Sequence, residues 1–144
     1  MASKYKWRMY QLFVAFSEYL NFKGGRTRQM CDFLADSGYL VILPDFYRGE
    51  MRNPFTDTDL LDFCKNVTQW DKLKGDWENK IKPYSEKHGA KTFGAVGTCW
   101  GSYVVLRLAE FVEFQAGVSF HPSHSKIAEI LQENEEEILK VRKP

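Results

Sequence analysis

One cysteine stands in a setting that suits a nucleophile. Residues 97–101 read Gly-Thr-Cys-Trp-Gly, so Cys99 lies directly after an apolar stretch at 93–96 and just before a helical pattern that begins near Ser102. A strand, a sharp turn and a helix in this order form an elbow that exposes a nucleophile above a sheet. Small residues two positions on either side let strand and helix approach closely, and both positions hold glycine. The sequence therefore predicts Cys99 as a nucleophile.

The helix after the elbow would supply the electrostatics that a thiol nucleophile needs. The first N–H groups of a helix lack acceptors within the helix and carry a positive partial charge. That charge favours the thiolate, the reactive form of cysteine, and the N–H of Trp100 would face a developing oxyanion. Two other interpretations stay open. Cys99 could be a small buried core residue, or a redox thiol, although no resolving cysteine lies nearby in the sequence.

The apolar pattern predicts the sheet that must hold this elbow. Continuous apolar runs bounded by turn residues are typical of strands buried on both faces, as in a parallel sheet. Their alternation with helical patterns predicts an α/β fold, with a mostly parallel sheet and helices on both faces. The predicted strands are 12–16, 39–43, 93–96 and 116–120, and the predicted helices are 27–37, 57–70, 71–88 with a kink or break at Pro83, 102–111 and 125–140.

Composition narrows the class of protein. The chain has 144 residues with 44% hydrophobic and shows no repeat or linker, so we assign residues 1–144 to a single globular domain. The net charge of +1 gives no electrostatic footprint for nucleic acid or an anionic membrane. No apolar run approaches the roughly 20 residues of a membrane span. Three scattered cysteines indicate neither a disulfide framework nor a metal site. We expect a cytoplasmic protein without metal or cofactor.

The motifs resemble those of the dienelactone hydrolase (carboxymethylenebutenolidase-like) family of α/β-hydrolases. Residues 97–101 resemble the family's Gly-x-Cys-Trp-Gly. Residues 38–49 are similar to its Gly-Tyr, apolar strand, Pro-Asp, aromatic pair and glycine, and residues 116–123 to its strand ending in His-Pro-Ser. The resemblance runs from about Phe13 to the end of the chain. It implies a partial α/β-hydrolase fold and hydrolysis of a small ester or lactone by covalent thiol catalysis.

The resemblance also implies roles for four further residues. By position, Glu18 corresponds to the acidic partner of the resting cysteine, and the N–H of Tyr19 to the second donor of the oxyanion hole. Arg48 would grip a substrate carboxylate, because its planar fork matches that group, and His121 would line the pocket. Glu18 as a solvated carboxylate at a strand end, and Arg48 as a plain surface charge, remain open alternatives.

A complete triad needs an acid and a histidine after the nucleophile. The resemblance implies that both would lie beyond residue 144. His121 and His124, which follow the fourth predicted strand, stay open as alternative bases because of their position at the carboxyl edge of the sheet. We therefore expect a truncated domain that is weakly active or inactive. The alternative is a non-catalytic remnant of the same fold that serves in binding or interaction. A sheet without its last strands would expose an apolar edge, so self-association is also expected.

Overall fold

Four parallel strands form the sheet in the computed structural model, which describes residues 11–17, 26–50, 58–67 and 69–139. Their order is β2-β1-β3-β4, and each neighbouring pair is parallel. The carboxyl ends of all the strands therefore meet at one edge, where ligands bind in open α/β sheets. The strands are β1 (Gln11–Ser17), β2 (Leu40–Ile42), β3 (Phe93–Cys99) and β4 (Phe114–Phe120).

Helices connect the strands in the predicted order. The strand and helix positions read from the sequence are confirmed, apart from the two helical regions treated next and shifts of a few residues at the ends. The helices are α1 (Thr27–Asp36), α2 (Leu60–Val67), α3 (Trp70–Asp76), α4 (Lys82–Lys87), α5 (Gly101–Leu108), α6 (His124–Leu131) and α7 (Glu135–Leu139), with one π-helical turn at Trp77–Ile81 between α3 and α4.

The π turn explains how a proline is accommodated in the region predicted as one helix with a kink or break. Pro83 has no N–H to donate, and in a regular helix its ring would clash with the carbonyl of Asn79, four residues earlier. The N–H of Lys82 bonds to the carbonyl of Trp77, five residues back, which widens the turn before the proline. The chain stays helical from α3 through α4 instead of breaking.

The last predicted helix, 125–140, is two helices in the structure. Gln132 adopts a left-handed conformation (φ 58°), and the N–H of Glu133 bonds to the carbonyl of Ala128 at 2.9 Å, as in a Schellman C-cap. The side chain of Asn134 then accepts the N–H of Glu136 at 3.0 Å and so caps α7. These local bonds satisfy the backbone without a continuous helix.

Trp77 is the centre of the aromatic core. It is 1% exposed, and its ring lies 4.9 Å from that of Phe93 and 4.7 Å from that of Phe114, measured between centroids. Phe111 adds a fourth ring at 6.1 Å. Aromatic pairs at such separations stabilise beyond the area they bury. The cluster therefore fixes the π turn against the first residues of β3 and β4.

An ion pair joins the start of α4 to the residue before β4. The Lys82 ammonium donates a hydrogen bond to the Glu113 carboxylate. This bond raises the pKa of Lys82 and lowers the pKa of Glu113. Because the pKa of Glu113 is lowered, its contribution to stability is present above the ordinary glutamate pKa, about 4.3, and is lost as pH falls. Because the pKa of Lys82 is raised, its contribution is present below the ordinary lysine pKa, about 10.4, and is lost as pH rises further.

Glu113→Gln is expected to lower the free energy of unfolding by about 0.5 kcal/mol at pH 7, because both partners are partly exposed to solvent. The difference from wild type should shrink towards zero as the carboxylate is protonated at acidic pH. Urea unfolding at pH 7 and at pH 3.5 measures this. Glu129→Gln, which removes the exposed Lys126–Glu129 pair, is the control and should change little. An equal loss at both pH values would contradict the pairing.

Candidate active site

Cys99 ends β3 with a backbone that L-residues rarely adopt. Its φ is +54°, in the left-handed region, where a non-glycine residue is uncommon and strained. Trp100 follows at once with helical angles, and its carbonyl accepts the N–H of Tyr103 at 2.9 Å. The chain thus turns from strand to helix within one residue. The first turn of α5 therefore follows directly after Cys99. Its N–H groups do not make the regular helical bond to a carbonyl four residues earlier.

Gly97 lets α5 lie directly against β3. A Cβ on Gly97 would lie 2.2 Å from the carbonyl oxygen of Gly101 and 2.8 Å from Cγ2 of Val105. Real side chains do not approach so closely, and the first neighbour is backbone that cannot rotate away. Glycine is therefore the residue that this packing requires.

The indole of Trp100 packs on two aromatic rings from the loop after β2. Ring centroids lie 5.9 Å from Phe46 and 5.5 Å from Tyr47, and all three side chains are buried. Both rings are buried although they lie in a loop, because two large rings gain more from packing on the indole than from exposure. Residues 51–56 of that loop lie outside the described residues.

Asp45 holds the same loop in place. Its carboxylate accepts the N–H of Tyr47 at 3.1 Å and the N–H of Gly49 at 2.7 Å. These bonds close a turn in which Arg48 (φ 56°) and Gly49 (φ 84°) have left-handed backbones. Asp45 is therefore a structural residue of the turn.

Arg48 points its guanidinium at α3. Its Nη1 lies 3.0 Å from Oδ2 of Asp76, whose other oxygen accepts from Lys80 at 2.6 Å. The Arg48 side chain is 45% exposed, so the structure shows a surface ion pair. A contact between Arg48 and a substrate carboxylate stays a prediction, and it would compete with Asp76.

Ser123 is the polar neighbour of the Cys99 sulfur. Its Oγ lies 3.6 Å from Sγ, and its backbone N–H donates to the carbonyl of Cys99 at 3.4 Å. Both residues are half-buried. In the sequence Ser123 is the last residue of the His-Pro-Ser motif, and it was not predicted as a site residue. The available signal was its place on the loop after β4, the strand that pairs with β3.

The other predicted site residues are not brought to the sulfur by any described contact. His121 follows β4 with φ 50° and is exposed, and no hydrogen bond joins it to Cys99 within the described residues. Glu18 and Tyr19 lie outside the described residues. Nothing is described of the His124 side chain. The roles given to these residues therefore stay predictions.

The thiols differ in environment. Cys31 and Cys99 are both free. Burial raises the pKa of the Cys31 thiol, and the neighbouring Asp32 charge raises it further. Cys31 should therefore hold less thiolate at neutral pH than an ordinary cysteine.

Among the described side chains, no group of three His, Cys, Asp or Glu could hold a metal ion.

A cavity of about 610 Å³ lies away from Cys99. Neither Cys99 nor Ser123 lines it, so it does not belong to the predicted chemistry. Its lining side chains come from the region between α2 and α3 and from the ends of α5 and α6 and include Lys65, Trp70, Arg107 and Glu133.

In the part of the chain that the structure describes, no helix is long and apolar enough to cross a membrane.

Comparison with known families gives an extensive match. The model of the dienelactone hydrolase family matches residues 8–144, nearly the whole chain, including the four strands and the turn at Cys99. This agrees with the α/β fold and the parallel sheet. No solved structure gives a significant match.

Curated relatives match over about two thirds of the chain. A carboxymethylenebutenolidase homolog of Xenopus tropicalis is 34% identical over 97 residues, which cover 66% of this chain and 39% of that protein. The human carboxymethylenebutenolidase homolog is 31% identical over 66% of this chain and 40% of its own length. Dienlactone hydrolase 1 of Gibberella moniliformis is 27% identical, over 67% of this chain and 41% of its own length. The matched part thus spans about two fifths of these relatives.

Proposed function

Because the chain belongs to the dienelactone hydrolase family, we propose that it is a hydrolase of small esters or lactones and that Cys99 is its nucleophile. The assignment of Cys99 as the nucleophile rests on one observation: its φ is +54° at the junction of β3 and α5. Strained backbones at non-glycine residues cluster at active sites, and this one lies at a strand-to-helix junction of the kind that exposes a nucleophile. No cofactor is required, because acyl transfer needs a nucleophile and donors for the oxyanion.

The reaction has two stages. The Cys99 thiol first loses its proton to water; the thiolate attacks the carbonyl carbon, a C–S bond forms, and the C–O bond breaks as the alcohol oxygen leaves with a proton taken back from water. Water then attacks the thioester, releases the carboxylic acid and returns the thiol. During attack, the oxygen of the tetrahedral intermediate would accept the N–H of Trp100, and the N–H of Tyr19 would serve as second donor.

In this proposal proton transfer is the limiting step, because within the described residues no hydrogen bond joins a histidine to Cys99 and the polar neighbour of its sulfur is Ser123. A neutral serine hydroxyl is not a base at neutral pH, so Ser123 cannot replace a triad histidine. We therefore expect acylation of Cys99 to be faster than hydrolysis of the thioester.

The expected substrate is a small ester or lactone, and the expected location is the cytoplasm, where the thiol stays reduced.

The test is acylation by an activated aryl acetate at pH 7.5, followed by mass spectrometry of the intact and digested protein. We expect one acetyl group on Cys99 and slow or absent turnover. Cys99→Ala should lose the adduct, whereas Cys31→Ala should keep it. Acetylation spread over lysines, unchanged in Cys99→Ala, would exclude Cys99 as the nucleophile. That outcome would favour the alternative, a binding or interaction protein built on the same fold.

The proposed protein partner is a second copy of this chain, which would pair with β4. β4 is an edge strand of the described sheet, contains no charged residue or proline, and leaves Val118 46% and Phe120 53% exposed. Antiparallel pairing with a second copy about Val118 would set Ala116 opposite Phe120, apolar against apolar. Sedimentation should show a dimer that Phe120→Lys weakens and Phe33→Lys, on the exposed face of α1, leaves intact. A monomer at all concentrations would contradict this proposal.

A further inference from the structure

The hydroxyl of Ser123 does not make the bond that its position usually provides. Ser123 is the N-cap of α6, where a serine side chain normally accepts an N–H from the first turn. Ser123 makes no such side-chain bond. Its Oγ instead lies 3.6 Å from Sγ of Cys99. A capping residue that turns its hydroxyl away from its own helix and towards a free thiol indicates a role at the sulfur.

The backbone holds this contact from both sides. The N–H of Ser123 donates to the carbonyl of Cys99 at 3.4 Å, and the carbonyl of Ser123 accepts the N–H of Ile127 in α6 at 3.0 Å. Thr98 and Phe120 are paired in the parallel register of β3 and β4, so the two loops start side by side. Ser123 itself is half-buried. Its hydroxyl is therefore kept near the sulfur by the fold and does not depend on a substrate.

We propose that Ser123 is a positioning residue for Cys99, whose hydroxyl donates a hydrogen bond to the thiolate and fixes the direction of the sulfur. This rests on the proposed function, in which Cys99 is the nucleophile. The thiol proton leaves to solvent or to a base. The serine keeps its own proton throughout and donates it to the sulfur as a hydrogen bond.

The direction of the Ser123–Cys99 hydrogen bond depends on the state of the sulfur. With a neutral thiol, either atom can donate. With a thiolate, only the hydroxyl can donate, and hydrogen bonds to a charged acceptor are the stronger kind. Other titratable groups on the segments next to Ser123 are His121 after β4 and His124 in α6; Glu18, which follows β1 in the sequence, lies outside the described residues. They are the same in every Ser123 variant, so a change between variants reports the hydroxyl.

The test is the rate at which iodoacetamide alkylates Cys99 between pH 5 and 9, followed by mass spectrometry of the Cys99 peptide in the full chain. Ser123→Ala should lower this rate at pH 7 by about fivefold, because the sulfur loses its donor and its fixed direction. Ser123→Thr, which keeps the hydroxyl, should stay within about twofold of wild type. Ser123→Gly also lacks the hydroxyl but suits an N-cap, and it decides the matter if Ser123→Ala does not fold.

Two results would overturn the proposal. One is a folded hydroxyl-free variant that reacts as fast as wild type at every pH. The other is Ser123→Thr slowed as much as Ser123→Ala, which would indicate disturbed packing. Alkylation does not require ester turnover. Failure to form an acyl-enzyme would therefore refute the proposed function while leaving the effect of Ser123 on the sulfur measurable.

Discussion

Gly97→Ala is expected to destabilise the protein by more than about 4 kcal/mol, a loss large enough to unfold many domains of this size. The added Cβ would lie 2.2 Å from the carbonyl oxygen and 2.4 Å from the carbonyl carbon of Gly101. Both atoms are backbone at the first residue of α5. The helix would have to move away from β3, and the turn at Cys99 would move with it. Soluble yield and the urea midpoint measure this.

Gly75→Ala is the matched control. A Cβ on Gly75 in α3 would meet only the side-chain nitrogen of Asn79, at 3.9 Å, an ordinary contact. Alanine in a helix is favoured over glycine by up to about 1 kcal/mol. The same chemical change should thus stabilise at one site and strongly destabilise at the other. A Gly97→Ala variant as stable as wild type would show that α5 does not lie against β3 in this way.

Trp77→Ala should cost about 3–5 kcal/mol, the usual range for deleting a large buried aromatic side chain. The indole is 1% exposed and packs on rings from β3, β4 and the loop after α5. Its removal leaves a cavity that the sheet cannot fill, because strand pairing fixes the backbones around it. Thermal and urea unfolding measure the loss.

Tyr84→Ala provides the comparison for Trp77. Tyr84 lies in α4 of the same helical run, but its side chain is 55% exposed, and its ring lies against that of His88 with 4.3 Å between centroids. We expect a loss of about 1 kcal/mol or less. Similar losses for the two variants would mean that the aromatic cluster is not the core of the domain.

Local patterns predicted the elements and the position of Cys99 well. Apolar runs such as 93–96 mark strands buried on both faces, and Gly38, with a φ of 91°, ends the first helix as a C′ glycine should. The two glycines around Cys99 predicted a close strand–helix junction, and the contact geometry of Gly97 agrees. Signals of this kind depend on neighbours in sequence, which is why they can be read without a structure.

Contacts between distant segments could not be predicted in the same way. The burial of Phe46 and Tyr47 depends on Trp100, more than fifty positions later, and the sequence around 45–50 looks like an ordinary turn. The approach of Ser123 to Cys99 depends on the pairing of β3 with β4. Such contacts arise from topology, so they become visible only when the strand order is known.

The turn at Gln132 lies between these cases. Apolar residues at 127, 130, 131, 138 and 139 fit one amphipathic helix, and that period outweighed the local signal. Asn134, an N-cap residue three positions before Glu137, was a start signal for a second helix. Local bonds that span two to five residues, one of them to the side chain of Asn134, decided the outcome over hydrophobic periodicity.

Competitive alkylation of the native protein at pH 7 tests the central claim, that Cys99 is a reactive and accessible thiol. A limiting amount of iodoacetamide, with all three cysteine peptides quantified by mass spectrometry, gives the order of reaction. Labelling should reach Cys99 first, well ahead of Cys31, whose pKa is raised by burial. If Cys31 or Cys64 is labelled as fast as Cys99 while the protein remains folded, Cys99 is an ordinary core cysteine and the hydrolase site is not where we place it.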